Sequence, residues 1–223
     1  MLFALFVIVA VTLIVAHHFL IVRPRQREAA LRDALSGRGG PPAVTLTPVP
    51  PGVFLQSNYT WSQITPSGEL LLGVHPLLLN LAGASQEIEV VPEERVERGM
   101  PLFRLRKNDR QLTVNSPVTG KLRVARELVD GETGWEEISD GNRWLCRVEP
   151  EHVEDEISTW MSGDRAEAWS SGQYAEIRDH LLALGADTQL GATLVDGGEI
   201  RAGALAQLDQ AEWEAFEERF LHG

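Results

Sequence analysis

The chain has 223 residues, 43% of them hydrophobic and 23% charged, with a formal charge of -12. That length accommodates one sizeable folded domain with attachments, and the acidic balance argues against nucleic acid as a partner, because phosphate recognition needs clustered Lys and Arg. The single cysteine, Cys146 in "RWLCRV", excludes an internal disulfide and a Cys-rich metal site; alternation puts it on a strand as a small buried apolar residue.

Residues 1–22, "MLFALFVIVAVTLIVAHHFLIV", contain no Lys, Arg, Asp or Glu. A helix of about 20 such residues matches the hydrocarbon thickness of a bilayer, so this stretch reads as a transmembrane helix. A cleaved signal peptide would carry its basic residues first, whereas Arg23, Arg25 and Arg27 all follow the apolar run. The same asymmetry predicts a single-pass membrane protein with its soluble domain in the cytoplasm. His17 and His18 lie near the basic end of the span, where a neutral imidazole approaches the headgroups; contact with a haem or quinone is the competing reading, but one helix supplies no second axial ligand.

Residues 23–52 form the next predicted unit. "RPRQREAALRDALSG" has helical spacing and gives a juxtamembrane helix, after which "SGRGGPPAVTLTPVPPG" is a Pro/Gly linker. From residue 53 to about 148 the chain reads as short β segments between turns, with alternation at Ile88 and Val90, Leu112 and Val114, and Leu122 and Val124. One short helix, "HPLLLNLAG", interrupts them and ends at Gly83.

The remainder is predicted helical. "VEDEISTWMSG" places Val153, Ile157 and Trp160 on one face, and "GQYAEIRDHLLALG" places Tyr174, Ile177 and Leu181 on one face and stops at Gly185. "LDQAEWEAFEERFLHG" gathers Trp213, Phe216 and Phe220 behind a capping box formed by Asp209 and Glu212. That aromatic stripe is core by preference and a docking surface as the alternative.

Six motifs come in a fixed order from residue 59 onward: "YTW" at 59–61, "GELLLGV" leading into the helix that ends at Gly83, "IEVVP" at 88–92, Gly99 before a hairpin, "SPVTG" at 116–120, and "RWLCRVEP" at 143–150. In that order they resemble the H-protein of the glycine cleavage system, a relative of the lipoyl and biotinyl domains. The resemblance covers roughly half the chain. It implies a lipoyl-like flattened β-sandwich over residues 53–163; with the one N-terminal transmembrane helix and a helical C-terminal extension over residues 164–223 read above, the expected fold is mainly β.

It also implies where a lipoyl arm would sit, on a lysine seven residues before the Ser of Ser-Pro and ten after the Gly that opens the hairpin. Both counts fall on Asp109. A carboxylate offers no amine for the amide bond, so no cofactor is expected. The acidic residue three before that lysine in the family falls on Arg106, and the hairpin tip "RLRKNDR" carries Arg104, Arg106, Lys107 and Arg110. This local inversion of sign is a candidate contact surface for an acidic partner or anionic lipid, with an ordinary solvated turn as the alternative. Lys107 is an alternative lipoate site, because a two-residue slip keeps a side chain on the same face.

The remaining histidines, His75, His152, His180 and His222, have no metal-binding spacing, and the chain has neither a phosphate-binding Gly-rich loop followed by Lys nor a Gly-x-Ser-x-Gly elbow. No catalytic constellation emerges, and the chain is expected not to be an enzyme. The expectation for function is a membrane-anchored, H-protein-like scaffold or accessory subunit that docks protein subunits of a membrane complex. A lipoyl carrier modified at Lys107 and a periplasmic adaptor of an export system are the alternatives.

Overall fold

The computed structural model describes residues 41–83, 87–92, 94–107, 109–125, 144–184, 195–196 and 198–221. The predicted span, the juxtamembrane helix, His17 and His18 lie outside them, as do His222 and Gly185. Among the described residues no helix is long and apolar enough to cross a membrane.

The folded body starts at Ala43. Within the Pro-rich stretch, the Val44 N–H donates to the Ile200 carbonyl at 2.7 Å, and Val44 and Val49 are buried. These two valines, spaced between prolines, give the otherwise irregular segment something to bury.

Strands β1 (Val53–Leu55), β2 (Thr60–Ile64), β3 (Leu70–Val74), β9 (Cys146–Pro150), β8 (Gly120–Ala125) and β5 (Arg95–Val96) lie in that spatial order in one antiparallel sheet. A second antiparallel sheet has the order β4 (Glu87–Val90), β6 (Pro101–Lys107), β7 (Arg110–Asn115). Period-two alternation decides what each strand buries. Leu70, Leu72 and Val148 of the first sheet share one apolar cluster with Phe103, Leu105, Leu112 and Val114 of the second. The opposite face of the six-stranded sheet carries Val53, Leu55, Trp61 and Leu71, covered by Trp144, Met161 and Ala166.

Helix α1 (Pro76–Ala82) begins with Pro at its first turn and is N-capped by His75, whose Nδ1 accepts from the Leu77 N–H at 3.0 Å. It ends at Gly83, which holds φ 87°. Its leucines complete the main core.

The C-terminal part is helical but divided differently from the sequence expectation. Val153–Glu156 (α2) is a single turn that tightens into a 3-10 turn over Ile157–Thr159, and Trp160 is extended. The reason lies in the sheet: Met161 exchanges both backbone hydrogen bonds with Leu55, at 2.7 and 2.9 Å, and so closes the outer edge of β1. Helix α3 (Gly163–Leu184) then runs without interruption through Gly172. An interior glycine costs a helix about 1 kcal/mol, and burial of Ala166 and Ser170 before it and Ile177 and Leu181 after it holds both halves in one helix. A small hairpin, β10 (Val195–Asp196) with β11 (Glu199–Ile200), precedes helix α4 (Gln210–Leu221).

The capping box of α4 forms as expected: the Asp209 N–H donates to Glu212 Oε2 at 2.8 Å and the Glu212 N–H to Asp209 Oδ1 at 2.9 Å. Trp213, Phe216 and Phe220 are buried in the same core as the sheets. The aromatic stripe already has an occupant within its own chain.

Candidate functional site

The β6–β7 hairpin closes with Lys107 opposite Arg110, and Asp109 lies in the turn between them. Pairing is regular from Leu105–Leu112 through Arg106–Gln111 to Lys107–Arg110; the one irregularity lies at the far end, between Pro101 and Phe103. Asp109 therefore stands exposed at the tip, and Lys107 is the last strand residue before it.

The basic character of the tip is largely consumed within the fold. Glu89 on β4 lies opposite Arg104, and its Oε2 is 2.9 Å from Arg106 Nη2 and 3.8 Å from Arg104 Nη1. The Arg110 guanidinium donates to the carbonyls of Leu205 and Ala206, at 3.5 and 3.4 Å, and stacks over the Trp213 ring at 5.6 Å. The sequence showed four cations around one Asp but not that β4 and the C-terminal segment would meet three of them.

The outer edge of β7 is also covered, by side chains rather than by a strand. The Trp213 indole donates to the Gln111 carbonyl at 3.0 Å, the Thr113 N–H donates to Glu217 Oε1 at 2.9 Å, and Asn58 Nδ2 donates to the Asn115 carbonyl at 2.7 Å. Backbone groups at alternate residues of this edge are thus satisfied, which removes a template for strand addition.

At the base of the hairpin lies a cleft of about 320 Å³. Its walls come from the turn before β2 (Gln56, Ser57, Asn58), the two turns at the hairpin base (Arg98, Gly99, Asn115, Ser116, Pro117), the start of the extended segment at Thr159 and Trp160, and Leu221 at the end of α4. Sequence reading missed this cleft because its walls are spread over more than 160 residues; the polar run "QSN" in a turn beside a buried strand was its one local signal.

The turn carrying that run is tightly held. Tyr59 adopts φ 61°, a left-handed conformation that non-glycine residues rarely take. Its hydroxyl donates to Gln173 Oε1 at 2.5 Å, its ring packs against Trp169 at 5.3 Å, and burial pushes its phenol pKa up. Beside it, His75 is fully buried. Because Nδ1 accepts from the Leu77 N–H, Nε2 carries the proton and donates to Ser170 Oγ at 3.1 Å, and burial lowers the imidazole pKa to about 3. His75 is thus a neutral structural pin between α1 and α3. Cys146 is buried and its thiol is pushed up by desolvation, away from reactivity. Among the described residues no group of His, Cys, Asp and Glu is arranged to hold a metal ion.

The body is thus a mainly β fold of antiparallel sheets with C-terminal helices. Among solved structures it is similar to a glycine cleavage system H protein from Mycobacterium marinum, at 16% identity and a TM-score of 0.37, over 56% of this chain and 98% of that one. No protein-family profile matches the sequence, and no curated protein does.

Proposed function

We propose that this chain is a non-catalytic, membrane-anchored scaffold or accessory subunit, built on an H-protein-like body that docks a partner protein at the membrane. One observation carries the reading. The position that bears the modified lysine in the family the sequence resembles is Asp109, exposed in the turn between Lys107 and Arg110 where an arm would have to start. The order of the six sequence motifs supports the body's kinship, and the uncharged run over residues 1–22, followed by Arg23, Arg25 and Arg27, supports a single span with the body on the cytoplasmic side.

Lys107 is the last residue of β6, opposite Arg110 and with no slip in the adjacent ladder, which supports the scaffold reading over a carrier modified there. The deciding measurement is the intact mass of the protein purified from its native membrane, with fragment ions across residues 99–122. An unmodified hairpin in material that co-purifies with other subunits is the expected result. A lipoyl-sized addition on Lys107 would make the protein a carrier and sink the scaffold reading.

A further inference from the structure

We infer that the cleft at the base of the β6–β7 hairpin binds a small monocarboxylate with an apolar body. The chemistry of its lining is distinct from the rest of the chain. In a protein with 32 acidic and 20 basic residues, the described residues that line the cleft include no carboxylate and one cation, Arg98. Arg98 is exposed and makes no ion pair with any described residue; Glu156 is near enough to feel its charge without pairing with it. The neighbouring Arg95, by contrast, is held by Glu97 and Glu151.

The remaining lining combines polar residues, among them Ser57 and Asn115, with the largely buried apolar Trp160 and Leu221, a mixture that suits an anion with a small apolar tail. A volume of about 320 Å³ is at the small end of the range for ligand pockets. One guanidinium matches one carboxylate, with paired N–H donors facing two oxygens. A doubly charged phosphate would meet the same single cation with Glu97 next to it in the chain and Glu156 close by, and it is disfavoured.

The walls are pre-organised, which lowers the ordering cost of binding. The Ser57–Asn58 wall is anchored behind by Tyr59 in its left-handed conformation, and in front Asn58 ties the turn to the Asn115 carbonyl at 2.7 Å. Thr60 Oγ1 donates to Gln56 Oε1 at 2.9 Å and Gln56 Nε2 to Ser62 Oγ at 2.7 Å, so the turn is fixed at both ends. On the opposite side the Arg98 N–H donates to Thr119 Oγ1 at 3.1 Å, which fixes the backbone of the cation that lines the cleft. Strain in a surface turn persists only where its surroundings over-determine it, and here the held turn is the one that presents polar groups to an open cleft.

The test is titration of the full-length protein in detergent, followed by ligand-detected NMR, with phenylacetate and hexanoate as probes and benzyl alcohol and inorganic phosphate as comparators. Saturable binding of the two carboxylates, weaker by about tenfold or more in Arg98→Gln and absent for benzyl alcohol and phosphate, is the expected result. Arg98→Lys, which keeps the charge and loses the fork, is expected to fall between. Because Arg98 is exposed, its variants are expected to melt within a degree or two of the wild type, and the melts are recorded alongside. Equal carboxylate binding by wild type and Arg98→Gln, tighter binding of phosphate, or no carboxylate binding at all would overturn the inference.

Discussion

The indole nitrogen of Trp213 lies 3.0 Å from the Gln111 carbonyl, so a residue of the last helix closes a hydrogen bond that a neighbouring strand would otherwise take. With Glu217 accepting from the Thr113 N–H two residues on, α4 covers the outer edge of β7 while its aromatic face fills the core. Trp213→Phe keeps most of the ring and removes the donor. It is expected to cost about 1–3 kcal/mol, the penalty for a backbone carbonyl left without its partner, read as a lower urea midpoint at unchanged slope. Exposure of the same edge should show as concentration-dependent association in size-exclusion chromatography.

Strand positions were legible because alternation is a local signal: Leu112 and Val114 face inward as their spacing requires, and the Asp209–Glu212 capping box forms from residues three apart. The cover over β7 was not legible, because its two sides are separated by about a hundred residues and no periodicity encodes the partner of an edge. Helix α3 begins well before Gly172, where the predicted helix starts; an interior glycine weakens a helix locally, and burial on either side of it decides for one continuous helix. At the candidate site, the sequence located Asp109 at the tip and its surrounding cations. It could not show that Glu89, Leu205 and Ala206 meet three of those cations, nor that turns, an extended segment and a helix end far apart in the chain enclose a cleft.

Gly120 opens β8 without a positive φ, so no left-handed turn requires a glycine there. A Cβ there would lie 2.3 Å from the Glu149 carbonyl oxygen, on the backbone of the paired strand β9, so the requirement is space. Gly120→Ala is expected to destabilise by at least 1–3 kcal/mol through overpacking. Gly172→Ala, where a Cβ meets nothing within 4 Å on an exposed helical surface, is expected to stabilise by about 1 kcal/mol. Thermal melts of the two variants should move in opposite directions.

Glu89 sets how much positive charge the hairpin tip presents. Its pairs with Arg104 and Arg106 are partly exposed, and such pairs contribute about 0–1 kcal/mol, so Glu89→Gln should leave the melting temperature nearly unchanged. It releases both guanidinium groups, however, and is expected to increase co-sedimentation of the protein with anionic over neutral vesicles, an increase abolished by high salt. No increase would mean that the tip cations act only within the fold.

His75 gives the protein a predictable acid limit. Burial lowers its pKa from the ordinary 6.5 to about 3, so between those values the unfolded chain binds a proton that the folded chain refuses. The unfolded state then holds more protons, and stability rises with pH. The contribution is fully present above 6.5 and is lost as pH falls toward 3, with a slope of up to about 1.4 kcal/mol per pH unit from this group alone. Glu156 acts in the opposite sense: desolvation raises its pKa, so its contribution is present below the ordinary carboxylate value and is lost as pH rises. His75→Asn separates the two, because Asn retains an N-cap acceptor for the Leu77 N–H and does not titrate. The variant should be less stable than the wild type at pH 7, having lost the Ser170 hydrogen bond and ring packing against Trp169. Its stability should fall less steeply between pH 6.5 and pH 4, so the difference between the two proteins narrows as acid is added, with Glu156 common to both. Parallel curves in chemical denaturation across that range would show that His75 takes up its proton equally in the folded and unfolded chains, and would overturn the buried neutral imidazole whose Nδ1 accepts from the Leu77 N–H.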